Sequence, residues 1–399
     1  MKKLLSVVLA LLMLAVMLPV VAMADDANYC TIEGVDGKFD TLTAAAKAWR
    51  ERKGIATSGG NFGSHPAELT IDSISWVISG SVGTGDGTGV VGTSGSLLSG
   101  GYIYPSIAIN SVYIRGVNNA ELKNELGSDD YALTAGGKNV VYDGITFPEY
   151  VSFNFGAENV TFKNCTFKGG LKVMQAINVT VDNCKFEGDG SKDFAFFAQS
   201  VPANSMKAVQ FKNNTVSSFM RGINVQAGTS ATVSITGNTI TNLTGKTGNG
   251  GTYGSAIQLT SGQTFNVTGN TIDTGIVNAF HFYTGLDANV TINNNKIKAP
   301  YLLWNEANLP QDNITSSGNV LDIDNPGQAK TKTAVIPTET VINGTTAPGT
   351  ITIIVPSTEE TKPAEDQKNP STGANDMVAA AAALMAVSAL GMAVLSRKK

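Results

Sequence analysis

One eight-residue phrase recurs eight times between residues 140 and 321. The first copy reads Val140-Val141-Tyr142-Asp143-Gly144-Ile145-Thr146-Phe147, and the second reads Val160-Thr161-Phe162-Lys163-Asn164-Cys165-Thr166-Phe167. Further copies begin at Val179, Val209, Val233, Phe265, Val290 and Ile314, so that successive starts lie 19 to 32 residues apart. A fixed phrase with variable filler marks a stacked repeat, in which each unit buries its apolar face only against its neighbours. No other feature of the chain restricts its fold so far.

The columns of the phrase predict local structure. The first position is Val, Phe or Ile throughout. The third holds Tyr142, Phe162, Val181, Phe211, Ile235, Val267 and Ile292, with Ser316 in the last copy. Alternation with period two places both columns on the buried side of a strand. The fifth position is only Gly or Asn: Gly144, Asn164, Asn183, Asn213, Gly237, Gly269, Asn294 and Gly318. These two residue types reach left-handed backbone angles at least cost, so every copy is expected to turn there. The sixth position runs Ile145, Cys165, Cys184, Asn214, Asn238, Asn270, Asn295 and Asn319. Stacked Asn side chains at one turn of parallel coils can bond from rung to rung and satisfy turn backbone that burial would strand. An apolar residue returns at the eighth position, where a second strand starts.

These columns resemble the right-handed parallel β-helix shared by pectate lyases and many surface proteins, over about Val112 to Leu321. The resemblance implies an all-β solenoid of three-strand coils and says little about activity. An antiparallel sandwich, the other candidate, would not need the same residue types at one turn of eight copies. Val112-Tyr113-Ile114-Arg115-Gly116 is a degenerate earlier copy. Ahead of it, Thr41 to Arg52 shows a helical pattern with Leu42, Ala45, Ala46 and Trp49 on one face. A single amphipathic helix before a stack is expected to cap the open end of its core. Leu69 to Ile71 and Trp76 to Ile78 read as strands, and Gly80 to Gly101 as a Gly/Ser/Thr-rich surface loop.

A third strand is expected in the filler, at residues 151–155, 171–174, 194–197, 223–226, 257–260, 280–283 and 301–304. In β-helix enzymes the substrate groove runs along the outer face of this strand. Alternation gives one outward column of Ser152, Lys172, Ala195, Asn224, Gln258, His281 and Leu302. A second holds Asn154, Met174, Phe197, Gln226, Thr260, Tyr283 and Trp304. The two contain one Lys, one His and no carboxylate. Glycoside hydrolysis needs two carboxylates at a set separation. A pectate-type lyase needs acidic calcium ligands and a base. Asp193, Asp273, Asp287 and Glu306 could approach from loops, and Lys172 or Arg221 could serve as base, but no motif links them. The columns suit binding better: aromatic faces stack on sugar rings and amides bond hydroxyls. The candidate ligand-binding residues are Phe197, Asn224, Gln226, Gln258, His281, Tyr283 and Trp304. Catalytic residues are not assigned, no metal site is expected with only His65 beside His281, and calcium enters only with the lyase reading.

The ends place the chain. Met1-Lys2-Lys3, an apolar run to about Val21 and Ala22-Met23-Ala24 form a secretory signal, with the mature chain beginning at Asp25. At the other end Asn369-Pro370-Ser371-Thr372-Gly373 precedes an apolar run from Met377 to Leu395 and the basic Arg397-Lys398-Lys399. This order resembles the LPxTG-type cell-wall sorting signal of Gram-positive surface proteins, with Asn369 where that motif has Leu. The resemblance implies a sortase that cuts after Thr372 and joins it to peptidoglycan, the membrane being met only through the segment before sorting. The expected domains are a signal peptide (1–24), the β-helix with its cap at about 38–54 (25–325), a Thr/Pro-rich linker (326–368) and the sorting signal (369–399).

A formal net charge of −4 and sparse charged residues argue against a nucleic-acid partner. Three cysteines exclude a disulfide framework; Cys165 and Cys184, one rung apart, could geometrically form a disulfide, two stacked buried thiols in place of ladder Asn being the favoured reading, and Cys30 is unpaired either way. Three functions fit: a wall-anchored adhesin or glycan-binding module, which the columns favour; a polysaccharide lyase or hydrolase; and a ligand-free spacer.

Overall fold

The computed structural model describes residues 27–52, 69–85, 107–125, 130–133, 138–153, 157–174, 176–201, 203–248 and 251–324, with four short strands between 334 and 353. The chain is a right-handed parallel β-helix. Each copy of the phrase forms two strands of a coil, as in Asn159–Lys163 and Thr166–Phe167, and the filler supplies a third, as in Leu171–Met174. First strands pair in parallel with the first strands of neighbouring coils, Val140 with Val160, Val160 with Val179, and so on to Val290 with Ile314. Third strands form a separate eight-stranded sheet in strict chain order. Parallel pairing throughout the stack excludes the sandwich.

All eight fifth-position residues adopt positive φ, from 52° at Asn183 to 71° at Gly144. Each turn closes over the Asn ladder. Asn214 Nδ2 donates to Asn238 Oδ1 at 3.1 Å, Asn238 to Asn270 at 2.9 Å, Asn270 to Asn295 at 2.9 Å and Asn295 to Asn319 at 3.0 Å. Each Oδ1 also accepts the backbone N–H of the preceding rung, and each Nδ2 also donates to a third-position carbonyl one rung back, such as Val181 O for Asn214 and Phe211 O for Asn238. One buried side chain therefore satisfies several backbone and amide groups that would otherwise be stranded, each at a cost of about 1–3 kcal/mol.

Cys165 and Cys184 act in the ladder as smaller stand-ins for Asn. The Cys165 N–H donates to Cys184 Sγ at 3.4 Å, and the Cys184 N–H donates to Asn214 Oδ1 at 2.8 Å. The Cys184 thiol donates to Phe162 O, the same third-position carbonyl that Asn side chains use higher up. Both cysteines are buried and free, as is Cys30. Inside the coils, rings stack in files: Tyr142 on Phe162 at 4.9 Å, and Phe147, Phe167 and Phe186 at 5.0 and 4.9 Å between successive centroids. Burying each such ring is worth roughly 1.5–3 kcal/mol.

The N-terminal end is covered as its sequence predicts. Helix Leu42–Arg52 buries Leu42, Ala45, Ala46 and Trp49, and Thr41 Oγ1 caps it by accepting the Ala44 N–H at 3.1 Å. Strand Tyr29–Ile32 runs antiparallel to the edge of Leu69–Gly83. That edge is one continuous fifteen-residue strand, not two short ones, and it reaches Gly83 inside the expected loop; positions 86–100 lie outside the described residues. Strand Ile107–Lys123 then carries the degenerate copy, pairing Val112 with Val140. Beyond residue 325, Glu339–Ile342 adds a parallel pairing to the last coil, Val341 with Val320 and Ile342 with Leu321, and folds back on Thr345–Pro348. Ala334–Ile336 and Ile351–Ile353 form a second antiparallel pair. The first part of the Thr/Pro-rich stretch is therefore a β cover on the last coil. Among the described residues no helix is long and apolar enough to cross a membrane; the expected signal peptide (1–24), His65 and the expected sorting signal (369–399) lie outside them.

Candidate functional site

The outer face of the third-strand sheet is built one residue per rung. Register pairs Ser152 with Lys172, Lys172 with Phe197, Phe197 with Asn224, Asn224 with Gln258, Gln258 with His281 and His281 with Trp304. Two columns predicted from sequence are thereby corrected. Phe197 and Trp304 stand in the first column, and Ala195 and Leu302, placed there by alternation, are buried outside it. The cause is simple: a shift of two residues keeps a side chain on the same side of a strand, so period-two alternation cannot detect it. The second column consequently runs Met174, Gln199, Gln226, with Gln199 the member that alternation missed. A bulge after Val225 pairs Gln226 with Ser261, which takes Thr260 out of that column. Thr260 instead donates to Asn224 Oδ1 at 2.9 Å and accepts from Gln258 Nε2 at 3.3 Å. Asn154 lies outside the described residues.

At the C-terminal end of this face the rings gather. His281 stacks on Trp304 with centroids 4.2 Å apart and planes 4° apart, and meets Tyr283 edge-on at 5.5 Å. Tyr283 is 39% exposed and Trp304 is half-buried, whereas His281 is 6% exposed. Glu306, just beyond the strand, reaches back so that its Oε2 lies 2.8 Å from His281 Nε2. Burial lowers the His281 pKa from its ordinary value, and Glu306 only partly offsets this. Asn305 fixes the turn behind Trp304: its Oδ1 accepts the Leu309 N–H at 3.0 Å, and its Nδ2 donates to Leu309 O at 3.1 Å.

A second polar group borders the face. Arg221 grips Asp193 through both Nε and Nη2 and lies over the Phe194 ring at 3.7 Å. Lys246, on the hairpin strand Lys246–Gly248, reaches the same carboxylate at 3.4 Å. Burial pushes the Asp193 carboxyl up, but Arg221 and Lys246 outweigh it and hold the group below the usual carboxylate range. Lys172 Nζ stands 5.3 Å from the Phe197 centroid. Of the four loop acids, then, Glu306 and Asp193 approach the face. Asp273 pairs with Lys298 on the second strands, and Asp287 is exposed.

This arrangement limits the chemistry. Both approaching carboxylates are engaged, Asp193 by two cations and Glu306 by an imidazole, and they do not form a calcium-type oxygen cluster. Among the described residues no three His, Cys, Asp or Glu side chains are grouped to hold a metal ion. The face carries rings and amides in register at about 4.7–4.9 Å per rung; Tyr283 is exposed and Phe197, Gln226 and Trp304 are half-buried, whereas Asn224 and Gln258 are buried. Residues 88–253 match the family model described as the right handed beta helix region. No curated protein and no solved structure matches the chain.

Proposed function

We propose that this chain is a secreted, cell-wall-anchored surface protein whose β-helix binds a polysaccharide or host glycan through the third-strand face, as an adhesin does. The observation that carries the reading is the His281–Trp304 stack with Tyr283 beside it, continued along one column by Gln258 and Asn224. Rings supply stacking area, and the buried amides supply fixed donors and acceptors. The test is a panel of plant and host glycans scored for both retention and release of product. Retention without release, lost in Trp304→Ala, supports binding. Failure of every glycan to bind leaves a ligand-free spacer.

The hydrogen bond between His281 and Glu306 favours a second reading, a polysaccharide lyase or hydrolase in which a neutral imidazole held by a carboxylate removes a proton. Unsaturated or newly reducing ends, abolished by His281→Gln, would establish it over simple binding. Wall anchoring rests on the order of motif, apolar segment and basic tail in 369–399. We infer that sortase joins Thr372 to peptidoglycan. Replacing Thr372 by Ala should move the protein from the wall fraction to the membrane fraction.

A further inference from the structure

The outward face of the first strands divides into two halves of different chemistry. In the first four copies the fourth phrase position holds Asp143, Lys163, Asp182 and Lys212, alternating in sign up the stack. Lys163 pairs with Asp143 at 3.2 Å and Lys212 with Asp182 at 3.3 Å. Just before the phrase, Asn178 donates to Asn159 and Asn159 to Asn139. This half bonds largely to itself.

In the last four copies the same columns lose every charge. The fourth position becomes Thr236, Thr268, Asn293 and Ser317, and the second becomes Ser234, Asn266, Thr291 and Thr315. All eight are half-buried or exposed, and the strands pair in register with no bulge. Ser317 Oγ bonds Asn293 Oδ1 at 3.0 Å. The other six side chains make no hydrogen bond within the described residues. Rungs about 4.7–4.9 Å apart, with alternate residues about 6.6 Å apart along each strand, set these groups on a regular lattice.

The composition of the lattice selects its partner. Protein interfaces need buried aromatic or aliphatic anchors, and nucleic acid needs cations; this half-face offers neither. A periodic, uncharged array of hydroxyls and amides complements a periodic, uncharged, hydroxyl-bearing surface, where many weak bonds act together. We propose that the lattice from Ser234 to Ser317 is a docking surface for the ordered face of a neutral, unbranched polysaccharide, separate from the third-strand face.

The test uses the full-length chain in mild non-ionic detergent with microcrystalline cellulose and powdered chitin as probes. The double variant Ser234→Lys, Thr291→Lys is expected to lose at least about tenfold in particle affinity, equivalent to 1.4 kcal/mol. The double variant Thr161→Lys, Thr180→Lys on the self-bonded half is expected to retain it. Because the partner is uncharged, wild-type retention is expected to survive about 1 M salt, which screens exposed charges beyond about 3 Å; this measurement needs no variant to fold. Absence of wild-type retention, its loss in salt, equal loss in both Lys pairs, or loss in Trp304→Ala with the lattice pair unaffected would each overturn the proposal. The last result would leave the third-strand face as the binding site, so the two readings fail separately.

Discussion

The imidazole of His281 lies flat on the indole of Trp304, centroids 4.2 Å apart, because the two residues are direct partners on adjacent rungs. Burial lowers the imidazole pKa below its ordinary 6.5, Glu306 pulls it partly back up, and the Arg221 charge lowers it further. A depressed pKa means that the unfolded chain binds the proton more readily than the folded one. The contribution of His281 to stability is therefore present above pH 6.5 and is lost as pH falls through the lower, folded value. Protonated imidazole quenches a stacked indole, so Trp304 emission should fall in acid with a midpoint below 6.5. Glu306→Gln should move that midpoint lower still, and Trp304→Phe should abolish the titration, since Trp49 and Trp76 are buried elsewhere. A midpoint above 6.5 would contradict the assigned burial.

The same stack predicts how binding should respond to substitution. Trp304→Ala removes the ring and also the support that holds His281 in plane, and should weaken glycan retention about tenfold to a hundredfold, the 1–3 kcal/mol typical of ring stacking. Tyr283→Ala should cost less, because that ring touches His281 only by its edge. Isothermal titration with any glycan found to be retained would rank the two.

Much of the fold could be read from sequence because its determinants are local. A left-handed turn accepts few residue types, so Gly or Asn at eight equivalent positions marked all eight turns, and each has positive φ. The Asn ladder followed from the same columns. The face was only half legible. Alternation identified which residues point outward but not which rung-mates adjoin, so Phe197 and Trp304 were set two residues out of place and the Lys172–Phe197 and His281–Trp304 contacts were hidden. Arg221 and Asp193 lie 28 residues apart on different coils, and no local pattern joins them. The variable length of the filler removes the fixed spacing that would have revealed such pairs.

Asn270 offers a test of the ladder. It donates to Asn295 Oδ1 and Ile235 O and accepts from both the backbone and the side chain of Asn238. Asn270→Leu would leave the Asn238 N–H and one Asn238 amide hydrogen without partners and would take the side-chain donor from the Ile235 carbonyl. At about 1–3 kcal/mol per stranded buried group, relieved in part by relaxation, the net loss should be about 2–4 kcal/mol. Urea denaturation should show a lower midpoint with an unchanged slope. Asn183→Gly, at an exposed turn position with φ of 52°, should change stability by less than about 1 kcal/mol.

The thiol rungs yield the sharpest contrast between two substitutions at one site. Cys184 donates to Phe162 O through sulfur at 3.5 Å and receives the Cys165 N–H at 3.4 Å, both weaker than the 2.8–3.1 Å bonds that the Asn rungs make to the same kinds of group. Cys184→Asn should extend the ladder downward and raise stability by about 0.5–1.5 kcal/mol, the net worth of a better hydrogen bond. Cys184→Ala deletes the thiol's contacts with Phe162 O and Asp182 O together with the acceptor of the Cys165 N–H, opens a small void, and should cost about 1–3 kcal/mol. Burial and the neighbouring Cys165 also push the Cys184 thiol well above its ordinary pKa, so it should resist alkylation in the native state and react once unfolded. Thiol titration before and after denaturation, with the two melting curves, checks all of this together. Rapid native labelling, or a Cys184→Asn chain less stable than Cys184→Ala, would show that sulfur at this rung does not stand in for Asn.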